Sequence, residues 1–122
     1  GIAKYTWRGG SDFKNEVLTG FNYRMYSLEY NPGDKLLYTT TANGMFVIDS
    51  AGTSTTITFQ QKALFPNTLH YYDGKIYACD KKNGILVINK DKVSSIIQPI
   101  VNGKKVAVNK LIIHKNTLLV KT

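Results

Sequence analysis

The side chains that could do chemistry are few, and their spacing argues against most chemistries. His70 and His114 are the only histidines, and no cysteine or carboxylate stands at metal-ligand spacing around either. Cys79 is the sole cysteine, so no disulfide can form within the chain. Its expected place is a small buried strand position. A reactive thiol would need a neighbouring base or cation. Acid–base catalysis needs two positioned groups whose pKa values are pushed apart. Asp34, Asp49, Asp73 and Asp91 instead stand in or next to turns, where Asp bonds the local backbone. No Ser-His-Asp order and no G-x-S-x-G element occurs. The chain therefore reads as non-catalytic, with no cofactor and no metal. Recognition is the chemistry left, because aromatic side chains are plentiful: eight Tyr, five Phe and Trp7. Aromatic rings with polar neighbours suit sugars, whose apolar faces lie on rings while their hydroxyls bond at the edge.

The elements that must position these residues follow from a repeat. Tyr26 to Asp49 reads YSLEYNPGDKLLYTTTANGMFVID, and Thr68 to Asn89 reads TLHYYDGKIYACDKKNGILVIN. Leu111 to Thr122 reads LIIHKNTLLVKT, which matches the first half of that unit and stops. A period of about 40 residues is the mark of a stacked or radial array. Alternation and turn chemistry divide each unit into four strands. The first unit gives Met25–Tyr30, Leu36–Thr41, Met45–Asp49 and Thr55–Gln60, with turns at Pro32-Gly33-Asp34 and Asn43-Gly44. The second gives Thr68–Tyr72, Lys75–Asp80, Ile85–Asn89 and Val93–Gln98, with turns at Asp73-Gly74 and Asn83-Gly84. After a turn at Asn102-Gly103, Val106–His114 and Thr117–Thr122 open a third unit. Asn-Gly and Asp-Gly favour tight hairpins because both residues tolerate positive φ.

Four antiparallel strands per unit with short turns make a blade of a β-propeller. The expected fold is all-β, with two four-stranded antiparallel blades and part of a third, as in a piece of a larger propeller. Residues 1–24 supply an outer strand, Ile2–Trp7, and a polar loop, Arg8–Gly20, of a preceding blade. Asp12–Thr19 is the best helical candidate, and the loop is preferred to it. Blade one covers 25–62, blade two covers 63–105, and the first two strands of a third cover 106–122. A blade buries both faces, which accounts for the incomplete alternation of LLY, MFVI, KIY and ILVI. Two isolated blades would leave broad apolar faces in water. The partners expected are further blades of a parent protein or other copies of this chain.

Charge is unevenly spread. The chain carries +8 in total. Residues 1–61 balance basic against acidic side chains, so the excess sits in 62–122, where Lys faces only Asp73, Asp80 and Asp91. These lysines are scattered over turns such as Lys81-Lys82 and Lys104-Lys105, which fits protection of strand edges better than nucleic-acid binding. An apolar fraction of 43% is that of a globular chain. No apolar run approaches the ~18 residues of a membrane helix.

The units resemble the two-component regulator propeller repeat. Its pattern is a strand like YSI, a D-G or N-G turn, a strand like LWIGT, then N-G-L-Y-R-Y-D. The first unit matches at Tyr26, Ser27, Leu28, Asp34, Leu36, Leu37, Tyr38, Thr39, Asn43, Gly44, Phe46 and Asp49. The second matches at Leu69, Asp73, Gly74, Ile76, Tyr77, Asn83, Gly84, Leu86 and Asn89. The pattern's Trp is Leu37 in one unit and Ile76 in the other. Its Gly-Thr is replaced by a run of Thr in one and by Cys79-Asp80 in the other. WD-type, kelch-type and quinoprotein-like propellers share much of this grammar. The resemblance implies the periplasmic sensor region of a bacterial hybrid histidine kinase and response regulator. Such a region senses a ligand, often a glycan, on the outer side of the inner membrane. Structural or protein-interaction propellers, and a slice of a propeller enzyme, remain the alternatives.

In a propeller the first strand of each blade lines the central channel. That places Tyr26, Glu29 and Tyr30 with His70, Tyr71 and Tyr72 near a shared pocket, and Trp7-Arg8-Gly9-Gly10 adds an aromatic and a cation. The candidate ligand-binding residues are Trp7, Arg8, Tyr26, Tyr30, His70 and Tyr72. Packing between blades, with the hydroxyl satisfied, is the ordinary role of each Tyr and is preferred to binding.

Overall fold

The computed structural model describes residues 2–19 and 24–122, and they form strands joined by turns. β1 (Ile2–Gly9) and β2 (Asp12–Thr19) make a hairpin. Its turn places Gly9 at φ +116° and Gly10 at φ +57°, which only glycine adopts cheaply. The polar loop expected from Arg8 to Gly20, and the helix weighed against it, are both replaced by β2. The reason is the Gly-Gly pair, which turns the chain directly and pairs Trp7 with Phe13 and Tyr5 with Asn15.

Blade one is a five-stranded antiparallel meander: β3 (Met25–Asn31), β4 (Leu36–Thr41), β5 (Gly44–Ile48), β6 (Ser54–Phe59) and β7 (Lys62–Ala63). Blade two is four-stranded: β8 (Thr68–Tyr72), β9 (Lys75–Asp80), β10 (Gly84–Asn89) and β11 (Lys92–Ile97). A small hairpin, β12 (Ile100–Val101) with β13 (Lys104–Lys105), leads to β14 (Lys110–His114) paired with β15 (Thr117–Lys121). The molecule is all-β with propeller-like blades. The extra strand β7 follows a turn in which Gln60 and Gln61 both take positive φ.

The blades stack side by side. The innermost strands β3, β8 and β14 are neighbours in that order, and outer strand β6 lies against β11. Between blades one and two sits the main core. Tyr38, Met45, Val47, Ile57 and Leu64 come from one side; Leu69, Ile76, Ala78, Leu86 and Ile88 come from the other. Burial pushes the Tyr38 phenol up to about 12, with the Asp34 and Asp91 carboxylates adding to it, so it stays neutral there. The opposite face of blade two carries Cys79 and Ile85, which pack with Val108 and Leu111 of the third unit. β10 is thus buried on both faces from Gly84 to Ile88. Burying a Leu or Ile side chain contributes roughly 1.5–3 kcal/mol.

Polar links repeat across these junctions. Asn31, the last residue of β3, donates from Nδ2 to the Gly74 carbonyl at 3.1 Å. Its Oδ1 accepts from the Gly33 amide at 3.0 Å, which fixes its own turn. Tyr72, the last residue of β8, donates to Asn116 Oδ1 at 2.7 Å and accepts from the Asn116 amide at 2.7 Å. Each first strand therefore ends on a residue that grips the next unit's first turn.

The hairpin turns use glycine differently from the simple expectation. Asp73 and Gly74 both take positive φ, as do Asn102 and Gly103. At Asn43-Gly44 and Asn83-Gly84 only the glycine does, at +125° and +97°. A Cβ on Gly84 would lie 2.7 Å from the Ile97 carbonyl oxygen, whereas one on Gly74 would meet nothing within 4 Å. Gly84→Ala should therefore destabilise the fold by about 2–3 kcal/mol, from strain plus collision, and Gly74→Ala by about 1 kcal/mol, from strain alone. Urea unfolding midpoints of the two variants check the order.

Candidate functional site

The segment between the blades shapes a recessed surface. It leaves β7, crosses to the inner side of blade two, and is extended, so its side chains alternate. Leu64 and Pro66 are buried, while Phe65 and Asn67 point out. The Asn67 amide donates to the Cys79 carbonyl at 2.8 Å, which ties the segment to β9. Phe65 is held on the surface, 57% exposed, because its two neighbours are locked inward.

A cleft opens on each side of Phe65. One has a volume of about 380 Å³ and is lined by Lys62, Phe65, Asn67 and the β9–β10 turn with Lys81, Lys82 and Asn83. The other, about 400 Å³, is lined by Tyr26, Thr41, Ala42, Phe65, Pro66 and Asn67. Sites for small ligands run from about 300 Å³ upward, and each cleft falls in that size range. Lys62, Lys81 and Lys82 are exposed around the first cleft. Asp80 beneath them is committed to its turn: Oδ1 accepts from the Lys82 amide at 2.8 Å and Oδ2 from Asn83 Nδ2 at 3.1 Å. The second cleft has two exposed rings, Phe65 and Tyr26. The Arg24 guanidinium lies 5.5 Å from the Tyr26 ring centroid.

Asp49 and Asp34 are engaged locally as well. Asp49 Oδ1 accepts from the Ala51 and Thr53 amides, and Asp34 Oδ2 accepts from Asn31 Nδ2. Among the described residues no group of three or more His, Cys, Asp or Glu is placed to hold a metal ion. Cys79 is fully buried, and burial raises its thiol pKa.

The six residues singled out from the sequence are spread over the fold. Tyr26 lines the second cleft. Tyr30 lies four residues further along β3, about 13 Å away. Both point away from β8, because Ser27 between them in alternation accepts the Leu69 amide through Oγ at 3.3 Å. His70 and Tyr72 lie on β8, with Tyr72 bonded to the third unit and His70 half-buried. Arg8 is exposed in β1, and Trp7 pairs with Phe13 there, its side chain outside the described residues. Among the described residues, Tyr26 is the one of these that lines either cleft beside Phe65. Phe65, Asn67, Lys62, Lys81 and Lys82 were not singled out. The available signal was an aromatic directly before a proline in the linker, opposite the Lys-Lys-Asn-Gly turn.

No protein-family model, no curated protein and no solved structure matches the chain.

His70 is held neutral. Burial lowers its pKa most; Glu29 acts to raise it, and Lys110 lowers it further. Its Nε2 is buried with no hydrogen-bond partner among the described residues. A folded pKa below the unfolded value of ~6.5 means full stability above about pH 6.5 and loss as pH falls through the folded value. The melting temperature should drop as pH goes from 7.5 toward 5, and His70→Gln should flatten that drop. A thermal-melt series in matched buffers reads both.

Proposed function

We propose that the chain is a non-catalytic, ligand-binding part of an extracytoplasmic sensor propeller, working in two-component signalling by recognising a glycan. The observation that carries this reading is the pair of clefts about Phe65, with Tyr26 as a second exposed ring and amide and ammonium groups at the rim. Rings offer flat apolar faces to a sugar, and Asn67 and Asn83 offer amides to its hydroxyls. The lysines of the first cleft favour a sugar chain that carries carboxylates or sulfates, since Lys is a mobile point charge suited to anions. Local use of Asp34, Asp49 and Asp80 in turns leaves those carboxylates to hold loops rather than to move protons. The resemblance of the repeat supplies the signalling context: a membrane helix and kinase elsewhere in the parent protein.

The clefts sit where two blades meet, so a ligand bridging Phe65 and the β9–β10 turn would bias how the blades pack. A second reading, a structural or protein-interaction propeller completed by association, is favoured by a different observation: the exposed apolar face of β3, with Tyr26, Leu28 and Tyr30 each at least half exposed.

Titration of the labelled protein with neutral and uronic-acid oligosaccharides, followed by amide chemical shifts, tests the first reading. Saturable shifts should centre on residues 62–67 and 80–84. Phe65→Ala should weaken binding about tenfold, the loss of roughly 1.4 kcal/mol expected for one stacking ring. No saturable shift with either class would refute the glycan reading.

A further inference from the structure

The first and third units present the two halves of an interface that the described residues already form twice. Leu28, Leu69 and Leu111 occupy one register position, opposite Thr39, Ala78 and Val120 in their hairpins. Leu69 is 4% exposed against blade one and Leu111 is 0% exposed against blade two. Leu28, on the corresponding face of blade one, is 50% exposed, with Tyr26 and Tyr30 beside it. At the other end, Tyr38, Tyr77 and Leu119 occupy a second shared position, opposite Glu29, His70 and Ile112. Tyr38 is fully buried against blade two and Tyr77 packs toward the third unit, but Leu119 is 56% and Ile112 52% exposed.

Resting on the second reading above, we propose that a second copy of this chain docks head to tail, its Leu28 face closing on the Ile112–Leu119 face of the first. Continuity with the existing junctions identifies the occupant. In each of them the ring on the second strand of one unit, Tyr38 or Tyr77, packs in the apolar cluster that receives the next unit's leucine. The third unit carries Leu119 at the ring's register position, and the first unit carries the leucine. The polar link also has its place. Asn31 and Tyr72, ending β3 and β8, bond the first turn of the following unit. His114 ends β14 at the same position, is exposed, and across the new junction meets the Pro32-Gly33-Asp34 turn of the second copy. Lys110 and Lys121 fall at the end of the pair that comes level with Tyr26, a ring that already accepts one cation. Such an interface is heterologous: each copy uses one surface to give and another to receive, so assembly goes on to a ring or a chain.

Light scattering on the eluting 122-residue chain, from micromolar to several hundred micromolar, reads the association directly. The wild type should run at multiples of 13.7 kDa. Leu28→Asp and Leu119→Asp should each run as monomers with unchanged circular dichroism, because both side chains are exposed in the single chain. An equimolar mixture of the two variants should form a two-chain species that does not grow, since it holds one intact receiving face and one intact donating face. A folded wild type that stays monomeric throughout would overturn the proposal, with the end faces then left to some other partner. So would variants that still assemble alone, or a mixture that stays monomeric.

Discussion

The structure depends on blade two being packed on both of its faces. A single antiparallel sheet needs one buried face; β10 has two, so Ile85 and Leu86 point in opposite directions and are both fully buried. The hydrophobic term follows from that geometry. The two clusters on either side of the sheet hold nearly all the buried apolar side chains, and neither cluster exists without the neighbouring unit. Stability in such an array comes from junctions between units, not from any unit alone. The hydrogen bonds from Asn31 and Tyr72 then set the register of these junctions, because a one-residue slip would take each donor away from its turn.

Much of this was legible in the sequence because it rests on local rules. Asp73-Gly74 and Asn102-Gly103 are turns for the reason their residue types give, a pair of positive φ values. Leu36–Thr41, Thr68–Tyr72 and Lys75–Asp80 are strands at their expected bounds. The failures have physical causes of the same kind. β7 was hidden because Gln60-Gln61 is a poor turn pair that the fold nevertheless forces to positive φ. β2 was hidden because the polar residues of a hairpin resemble those of a loop, and the Gly9-Gly10 turn was read as part of that loop.

The recessed surface was less legible than the fold. First-strand tyrosines were expected to gather around a channel, but Tyr30 and Tyr72 face different units, while Tyr26 lines the cleft beside Phe65. The ring at the centre, Phe65, owes its exposure to Leu64 and Pro66 being drawn into the interior on either side. That is a consequence of how the linker crosses between blades, which no window of sequence displays. The same crossing explains why the clefts lie where they do: rigid sheets end there, and the Thr41–Gly44 and Asp80–Gly84 turns rise beside the linker on the same side. Loops fixed by a packed scaffold are the usual carriers of recognition.

The contact between blades one and two is tested most directly by nuclear Overhauser effects in the methyl-labelled chain. Cross-peaks should link Met45, Val47 and Ile57 of blade one with Ile76, Leu86 and Ile88 of blade two, residues brought together only by stacking of the sheets. Cross-peaks confined within each sheet, with none between the two sets, would contradict the stacked-blade structure on which the clefts, the linker and the end faces all rest.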